Sequence, residues 1–453
     1  MMREPAFSLL PKPARIPLTG KRVLVLGLGD SGLSAARWVE REGGKARVAD
    51  TRPSPPQQRN FAGELQTGPF HPRLLEGIDL VCVSPGLSLE QELIRAAVAA
   101  QIPVLGDIEL FAWHNRQPVL AITGTNGKTT VSSLTGHLLR AGGVDCEVAG
   151  NISPPALDAL MKRQTPPAAW VLELSSYQLE TTWSLAPAGA AMLNLTEDHF
   201  DRYTGLDHYG AAKARIFMGA GTQVLNRDDP RSLAMAQAGR KVVTFGLDAP
   251  RGGDFGVAGG NLVQGSRNIL AIDELPIRGS HNVANALAAC ALASILGVDP
   301  RAGLKTFKGL PHRLELVATR RGVEWYDDSK GTNVGATVAA LRGLGKRTVL
   351  ILGGEGKGQD FSPLREPVRD FASRVLLIGR DAPLIEKALS GLPTERCRSL
   401  EEAVQKASQI PSQAVLLSPA CASFDMFRDY KHRGDTFAAA VHALGASKGG
   451  LHG

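Results

Sequence analysis

The run Thr123-Gly124-Thr125-Asn126-Gly127-Lys128-Thr129-Thr130 sets one lysine and two hydroxyls at the end of a glycine-containing loop. It lies between a hydrophobic stretch, Pro118 to Thr123, and a segment with Val131, Leu134 and Leu138 on one helical face. Strand, loop and helix start in that order can wrap a triphosphate in backbone N–H groups. Lys128 can neutralise the β- and γ-oxygens, and Thr129 can offer its hydroxyl to Mg²⁺. The commoner G-x-x-x-x-G-K-[ST] spacing is not met, because Ile122 stands where the first glycine belongs.

Gly27-Leu28-Gly29-Asp30-Ser31-Gly32 follows a predicted strand, and Asp50 ends the next strand about 20 residues on. Alone, this spacing reads as a dinucleotide turn, although the same turn admits any diphosphate. The embedded Gly-Asp-Ser-Gly has no preceding His and Asp, which sets aside a serine-protease nucleophile.

Glu173, His199 and Lys213 form a third constellation. A carboxylate ending a buried strand beside a phosphate loop is placed for Mg²⁺. His199, in TEDHFD, reads equally as a surface residue at a helix start. Lys213 shares the apolar face of a helix expected over 208–219 with Tyr209, Ile216 and Phe217. It either snorkels or is a neutral amine of depressed pKa that reacts with CO₂, giving a carbamate as an extra anionic metal ligand.

Ser280 is expected to cap a helix over 282–296, on which Asn282 and Asn285 point the same way and can read an adenine edge or serve as caps. Asp327-Asp328-Ser329-Lys330-Gly331-Thr332-Asn333 gathers acid, hydroxyl and cation at a strand end. Lys357 sits in the glycine loop 353–358, suited to a carboxylate.

Positioning these groups requires alternating strands and helices. A βαβ start (strand 21–28, helix 31–42, strand 45–50) continues through a strand at 79–83 and a helix at 89–101. Strands at 118–123, 170–174, 190–195 and 222–225 follow, then a glycine-rich antiparallel stretch over 251–277. Strands at 346–352, 374–378 and 414–417 complete an α/β pattern in three domains, 1–107, 108–309 and 310–453. The final SKGGLHG is expected to fray.

The chain has 453 residues, 43% hydrophobic and 21% charged, which excludes disordered and fibrous classes. Its +7 formal charge comes with only 5% aromatics and no basic run, favouring anionic small ligands over nucleic acid. Five cysteines, odd in number and without C-x-x-C, fit a reducing compartment. Residues 1–20 lack an apolar h-region and no run reaches the length of a membrane span. A cytoplasmic protein with no membrane association is expected.

With these residues laid out, the chain resembles the Mur ligase family of ATP-dependent amide-forming enzymes. The resemblance rests on TGTNGKTT (123–130), ELSSYQLE (173–180), LNLTEDHFDRY (193–203), GSHNVANALAA (279–289), GLPHRLE (309–315) and DDSKGTN (327–333). It implies a Rossmann-like N-terminal domain, a central P-loop ATPase-like domain with a mostly parallel sheet, and a Rossmann-like C-terminal domain. ATP would be held by Gly124, Thr125, Asn126, Gly127, Lys128, Thr129, Thr130, Asn282, Asn285, Arg313 and Asp328. Two Mg²⁺ ions would involve Thr129, Glu173, His199 and carbamylated Lys213, with Lys128 catalytic beside the last three.

The first glycine turn would then hold a uridine nucleotide rather than NAD, through Gly29, Asp30, Ser31, Thr51, Arg52 and Ser84, with Asn151 toward the acceptor. The loops LGGEGKGQDF (352–361) and LSPACASFDMF (417–427) are similar to those of members that add D-glutamate to UDP-N-acetylmuramoyl-L-alanine. They imply a D-glutamate site of Lys330, Thr332, Lys357, Ser423, Phe424 and Tyr430 in a monomer. GNIS (150–153) in place of GNIG, Phe424 in place of Leu, and a short extra N-terminal segment depart from the family pattern.

Overall fold

The chain folds around three sheets, whose strands of two to seven residues mostly alternate with helices. The computed structural model describes residues 6–444; the expected frayed tail, 447–453, lies outside them.

The first sheet is parallel throughout. Its strands run in the order Glu64–Thr67, Lys45–Asp50, Arg22–Leu26, Leu80–Val83 and Val104–Leu105. The chain order reverses beside the central strand Arg22–Leu26, so a crevice opens where Gly27 and Ser84 leave adjacent strands. Helix Asp30–Arg41 covers one face with Leu33, Ala36 and Val39. Each Leu or Val so buried contributes about 1.5–3 kcal/mol.

The second sheet has nine strands. Seven are joined by parallel pairings, in the order Phe255–Ala258, Val242–Phe245, Thr222–Asn226, Gly189–Met192, Val119–Thr123, Ala169–Glu173 and Cys146–Gly150. Asn261–Gln264 and Arg267–Ala271 continue from Phe255–Ala258 as the antiparallel meander. Val119–Thr123 is buried along its whole length, which explains its unbroken apolar sequence. The carboxyl ends of this strand and of Ala169–Glu173 present the phosphate loop and Glu173 side by side.

The third sheet runs Glu315–Arg320, Val323–Asp327, Ala414–Leu417, Thr348–Gly353, Ala372–Ile378 and Thr394–Arg396, parallel apart from the first pair. All three sheets thus follow the α/β expectation.

Three sequence expectations need correction. The helix expected over 89–101 runs only Glu92–Ala99, because the Ser88 hydroxyl accepts the Glu90 N–H and holds the preceding residues in a turn. Helix Ser280–Ile295 is preceded by Gly279 at its N-cap, with no side-chain cap, so Ser280 is the first helical residue and not the cap. The helix expected over 208–219 is Leu206–Ala214, followed by a 3₁₀ turn Arg215–Phe217. Arg215 donates there to the carbonyls of Leu179 and Thr182, drawing the chain inward.

The extra N-terminal segment is also packed. Phe7 and Leu10 are buried, and the Arg215 guanidinium lies 5.5 Å from the Phe7 ring and 5.3 Å from that of Trp183. No helix among the described residues is long and apolar enough to cross a membrane.

Candidate active site

Two cavities share one wall. The first, about 500 Å³, lies in the crevice of the N-terminal sheet, and the second, about 760 Å³, lies between the central and C-terminal sheets. Asn151, Ile152 and Ser153 line both. A long ligand seated in the first therefore has a continuous path to the phosphate loop in the second.

Gly29, Asp30, Ser31, Thr51, Arg52 and Ser84 all line the first cavity. A side chain at Gly32 would collide with the Gly27 carbonyl, so helix and strand meet as closely as the glycine spacing implies. Asp50 has no acceptor to spare for a ribose. Its carboxylate accepts the Leu28 N–H at 2.7 Å and the Arg52 N–H at 2.8 Å, and it takes the Arg52 guanidinium in a fork at 2.9 and 2.6 Å. Burial opposes its charge, but the bonds from Arg52 and Leu28 hold its pKa down at about 2. The dinucleotide reading, which needs this acid on a ribose hydroxyl, fails on that ground.

In the second cavity the phosphate loop is shaped by Gly127, whose φ of +83° starts helix Lys128–Ala141. A Cβ there would lie 2.5 Å from Asn285 Oδ1. The Asn194 amide straps the loop from below, accepting the Asn126 N–H at 2.8 Å and donating to its carbonyl at 3.0 Å. Lys128 folds over the loop and donates to the Gly124 and Thr125 carbonyls at 2.9 and 2.8 Å. Burial lowers its pKa, partly offset by Glu173 and Asp198.

Glu173, His199 and Lys213 line this same cavity. Glu173 is 2% exposed; its Oε1 accepts from Asn151, whereas Oε2 has no hydrogen-bond partner among the described residues. Lys213 is 1% exposed, donates to the Gly124 carbonyl at 2.8 Å and lies 4.5 Å from the Tyr209 ring centre. It does not snorkel: burial, with repulsion from Lys128, pushes its pKa well below the lysine range. His199 is held edge-on to Tyr177 and Tyr209, and burial lowers its pKa against the pull of Asp198. It is a neutral imidazole near pH 7.

The C-terminal domain contributes Arg313, Lys330, Thr332, Lys357 and Tyr430 to the same wall. Lys330 lies 4.1 Å from the Tyr430 ring centre, and burial plus the Arg313 charge bring its pKa to about 8. Asp328 stands behind Arg313, accepting from Ser418 at 2.7 Å and from the Leu314 N–H at 3.2 Å, with its pKa raised by burial to about 7.

Seven residues expected at this site do not line the cavity, among them Gly124, Asp328 and the buried Thr130. Asn282 and Asn285 bond to Arg278 and to each other rather than lining the cavity, although Asn285 abuts Gly127. Ser423 is buried and Phe424 is 66% exposed, and neither forms part of the wall. Their loop leaves the sheet after Leu417 and pairs Ala422 with Glu355 before helix Tyr430–Ala443 begins. Sequence reasoning missed Tyr177, Asn194, Asn333 and Gln359. All four lay within quoted motifs, and only the pairing of Asn194 and Asn333 with Asn126 marks the use of those two.

The chain matches the Mur ligase MurD-like N-terminal domain over residues 21–106, the Mur ligase middle domain over 122–293 and the Mur ligase glutamate ligase domain over 312–421. It is 51% identical to the UDP-N-acetylmuramoylalanine–D-glutamate ligase of Nitrosospira multiformis, covering 96% of this chain and 98% of that one. Identity to the protein of the same name from Thiobacillus denitrificans is 50%, over 96% and 98%. Among solved structures, UDP-N-acetylmuramate-alanine ligase MurC from Thermotoga maritima superposes with a TM-score of 0.59 at 19% identity, over 94% of this chain and 100% of that one. MurF from Acinetobacter baumannii gives 0.59 at 18%, over 93% of each. These two likenesses speak for the fold alone. Domain matches in this order across all three sheets, with half the residues identical over nearly the full length of such relatives, make this chain a member of the Mur ligase family.

Proposed function

We propose that this chain is the ATP-dependent ligase that joins D-glutamate to UDP-N-acetylmuramoyl-L-alanine, in cytoplasmic synthesis of peptidoglycan precursors, acting as a monomer. The observation that carries this is the shared cavity: a phosphate loop on one wall faces Lys330, Thr332 and Lys357 on the other, with Asn151 at the mouth of the nucleotide-sugar crevice. The names of relatives about half identical over their full length support the choice of substrates. Five free cysteines accord with a reducing compartment.

The alanine carboxylate, entering past Asn151, attacks the ATP γ-phosphorus, and the bond to the β-γ bridging oxygen breaks to give an acyl phosphate and ADP. The D-glutamate amine then attacks the acyl carbon. The tetrahedral adduct loses phosphate and a proton, leaving the amide. Lys128 offsets the charge on the transferring group. Lys330 and Lys357 hold the glutamate carboxylates, and Arg313 and Asp328 secure the nucleotide.

The residues present fit magnesium: Glu173 Oε2 is a buried carboxylate oxygen with no hydrogen-bond partner among the described residues, and the Thr129 hydroxyl and neutral His199 face the same space. Two Mg²⁺ ions, when bound by Thr129, Glu173, His199 and Lys213, supply charge compensation on the phosphates. Buried as it is, the Lys213 amine is uncharged for part of the time and its lone pair can attack CO₂. The N–C bond forms, a proton leaves, and the resulting carbamate presents oxygens where an ammonium would repel a cation.

The test is phosphate release by the purified protein with ATP, Mg²⁺ and UDP-N-acetylmuramoyl-L-alanine, with D-glutamate, L-glutamate, L-alanine, meso-diaminopimelate or L-lysine in parallel. Release with D-glutamate alone is expected. Release with another amino acid overturns the substrate, and no release with any overturns the enzyme reading.

A further inference from the structure

A chain of amide hydrogen bonds runs from the phosphate loop to the Lys357 loop. Because Asn194 secures both main-chain groups of Asn126, the Asn126 side chain is free to reach the C-terminal domain. There it pairs reciprocally with Asn333: Asn333 Nδ2 donates to Asn126 Oδ1 at 3.1 Å, and Asn126 Nδ2 donates back at 3.4 Å. Asn333 Oδ1 also accepts the Ala336 N–H at 2.8 Å, capping helix Val334–Leu344. The next residue, Val334, donates its N–H to Gln359 Oε1 at 2.9 Å. Gln359 Nε2 donates in turn to the Gly356 and Ala420 carbonyls at 3.0 and 2.7 Å.

Lys357 lies inside the turn that Gln359 closes, and it holds a φ of +52°, a left-handed conformation that is uncommon for a lysine and costs energy. Gln359 supports the turn from two directions, the Gly356 carbonyl on one side and the Ala420 carbonyl on the other. Asn333 fixes where the assembly stands relative to the phosphate loop, 207 residues away in sequence.

We propose that Asn333 and Gln359 are positioning residues that couple the nucleotide site to the amino-acid site: through them, the phosphate loop and the Lys357 loop are held in one arrangement. This rests on the functional reading above. A ligand that orders the phosphate loop then raises affinity for the amino acid, and the amino acid raises affinity for the nucleotide by the same factor. Neither side chain needs to touch a reacting atom.

The test separates this role from helix capping and from folding. Asn333→Ser keeps a capping hydroxyl but cannot reach Asn126, and Gln359→Glu keeps the acceptor for Val334 but loses both donors to the loop. With both variants folded by circular dichroism, KM for D-glutamate is expected to rise about tenfold, the scale of one lost buried tie. KM for ATP at saturating D-glutamate should rise with it, whereas the single-turnover burst of ADP without D-glutamate should stay within about twofold of the unaltered protein.

Binding of D-glutamate with and without a non-hydrolysable ATP analogue should show coupling in the unaltered protein and its loss in Asn333→Ser. Unchanged KM for D-glutamate in both variants, or coupling undiminished in Asn333→Ser, overturns the proposal. No D-glutamate-dependent phosphate release from the unaltered protein overturns the functional reading instead, and the proposal with it.

Discussion

Asn151 and Glu173 are joined twice: the Asn151 amide donates to Glu173 Oε1 at 2.7 Å, and the Asn151 N–H donates to the Glu173 carbonyl at 2.8 Å. The two residues end neighbouring parallel strands, so this clasp fixes the carboxylate and leaves only Oε2 facing the cavity. Glu173→Gln preserves the shape and removes the charge. Turnover should fall about 10²-fold or more, with a higher Mg²⁺ concentration needed for half-maximal rate. A Mg²⁺ titration superimposable on that of the unaltered enzyme would exclude Glu173 from the metal site.

Lys128 holds its ammonium against two loop carbonyls, ready to exchange them for phosphate oxygens. Lys128→Ala should lower turnover by about 10²-fold or more. The protein should still fold, since among the described residues the hydrogen bonds of this side chain stay within its own loop. Steady-state phosphate release is the measurement, and near-normal activity would remove Lys128 from catalysis.

Lys213 gives a sharper prediction, because a carbamate can be replaced from outside. Lys213→Ala should be nearly inactive and should recover with formate, acetate or another short carboxylic acid. A variant as active as the unaltered protein, or one that carboxylic acids never rescue, would refute the carbamate.

Gly127→Ala tests the fit between the loop and Asn285. The added methyl meets Asn285 Oδ1 and the backbone must hold a positive φ, at a cost of about 1–2 kcal/mol. KM for ATP should rise at least tenfold while the melting temperature falls by a few degrees. An unaltered KM would mean that the loop tolerates another shape.

His281 predicts the acid limb of stability. It is wedged between helices Ser280–Ile295 and Val334–Leu344, close to Gly279 and Gly343, and burial lowers its pKa from 6.5 to about 4. Between those two values the unfolded chain binds a proton that the folded chain refuses, so stability rises with pH across that window and falls as pH drops from 6.5 toward 4. His281→Gln should flatten this dependence. Melting curves at pH 5 and 7 measure it, and equal slopes for both proteins would acquit the histidine.

The loops were legible in the sequence because their geometry is local. Thr123 to Thr130 carries its own strand end, glycine and helix start, and the runs at 45–50 and 414–417 are strands over the same residues. Illegible were relationships across long separations. Nothing near Asn126 announces Asn333, and nothing near Gly127 announces Asn285; each pair exists only once two domains or two layers meet. Ser280 misled as a cap because Gly279, with its φ of +95°, already turns the chain into the helix. Ser423 and Phe424 follow a family pattern, but the path of their loop after Leu417 is set by the fold around it.

The burial of Phe7 against Arg215 sets a clock on synthesis. At roughly 5–20 residues per second, about 10–40 s pass between the translation of the two. Throughout that interval Phe7 lacks the Arg215 guanidinium it packs against, although the first sheet, complete by Leu105, can already form. The nascent N-terminal segment is thus left waiting on the ribosome, open to whatever binds exposed aromatic residues, until the helix that carries Lys213 emerges to receive it.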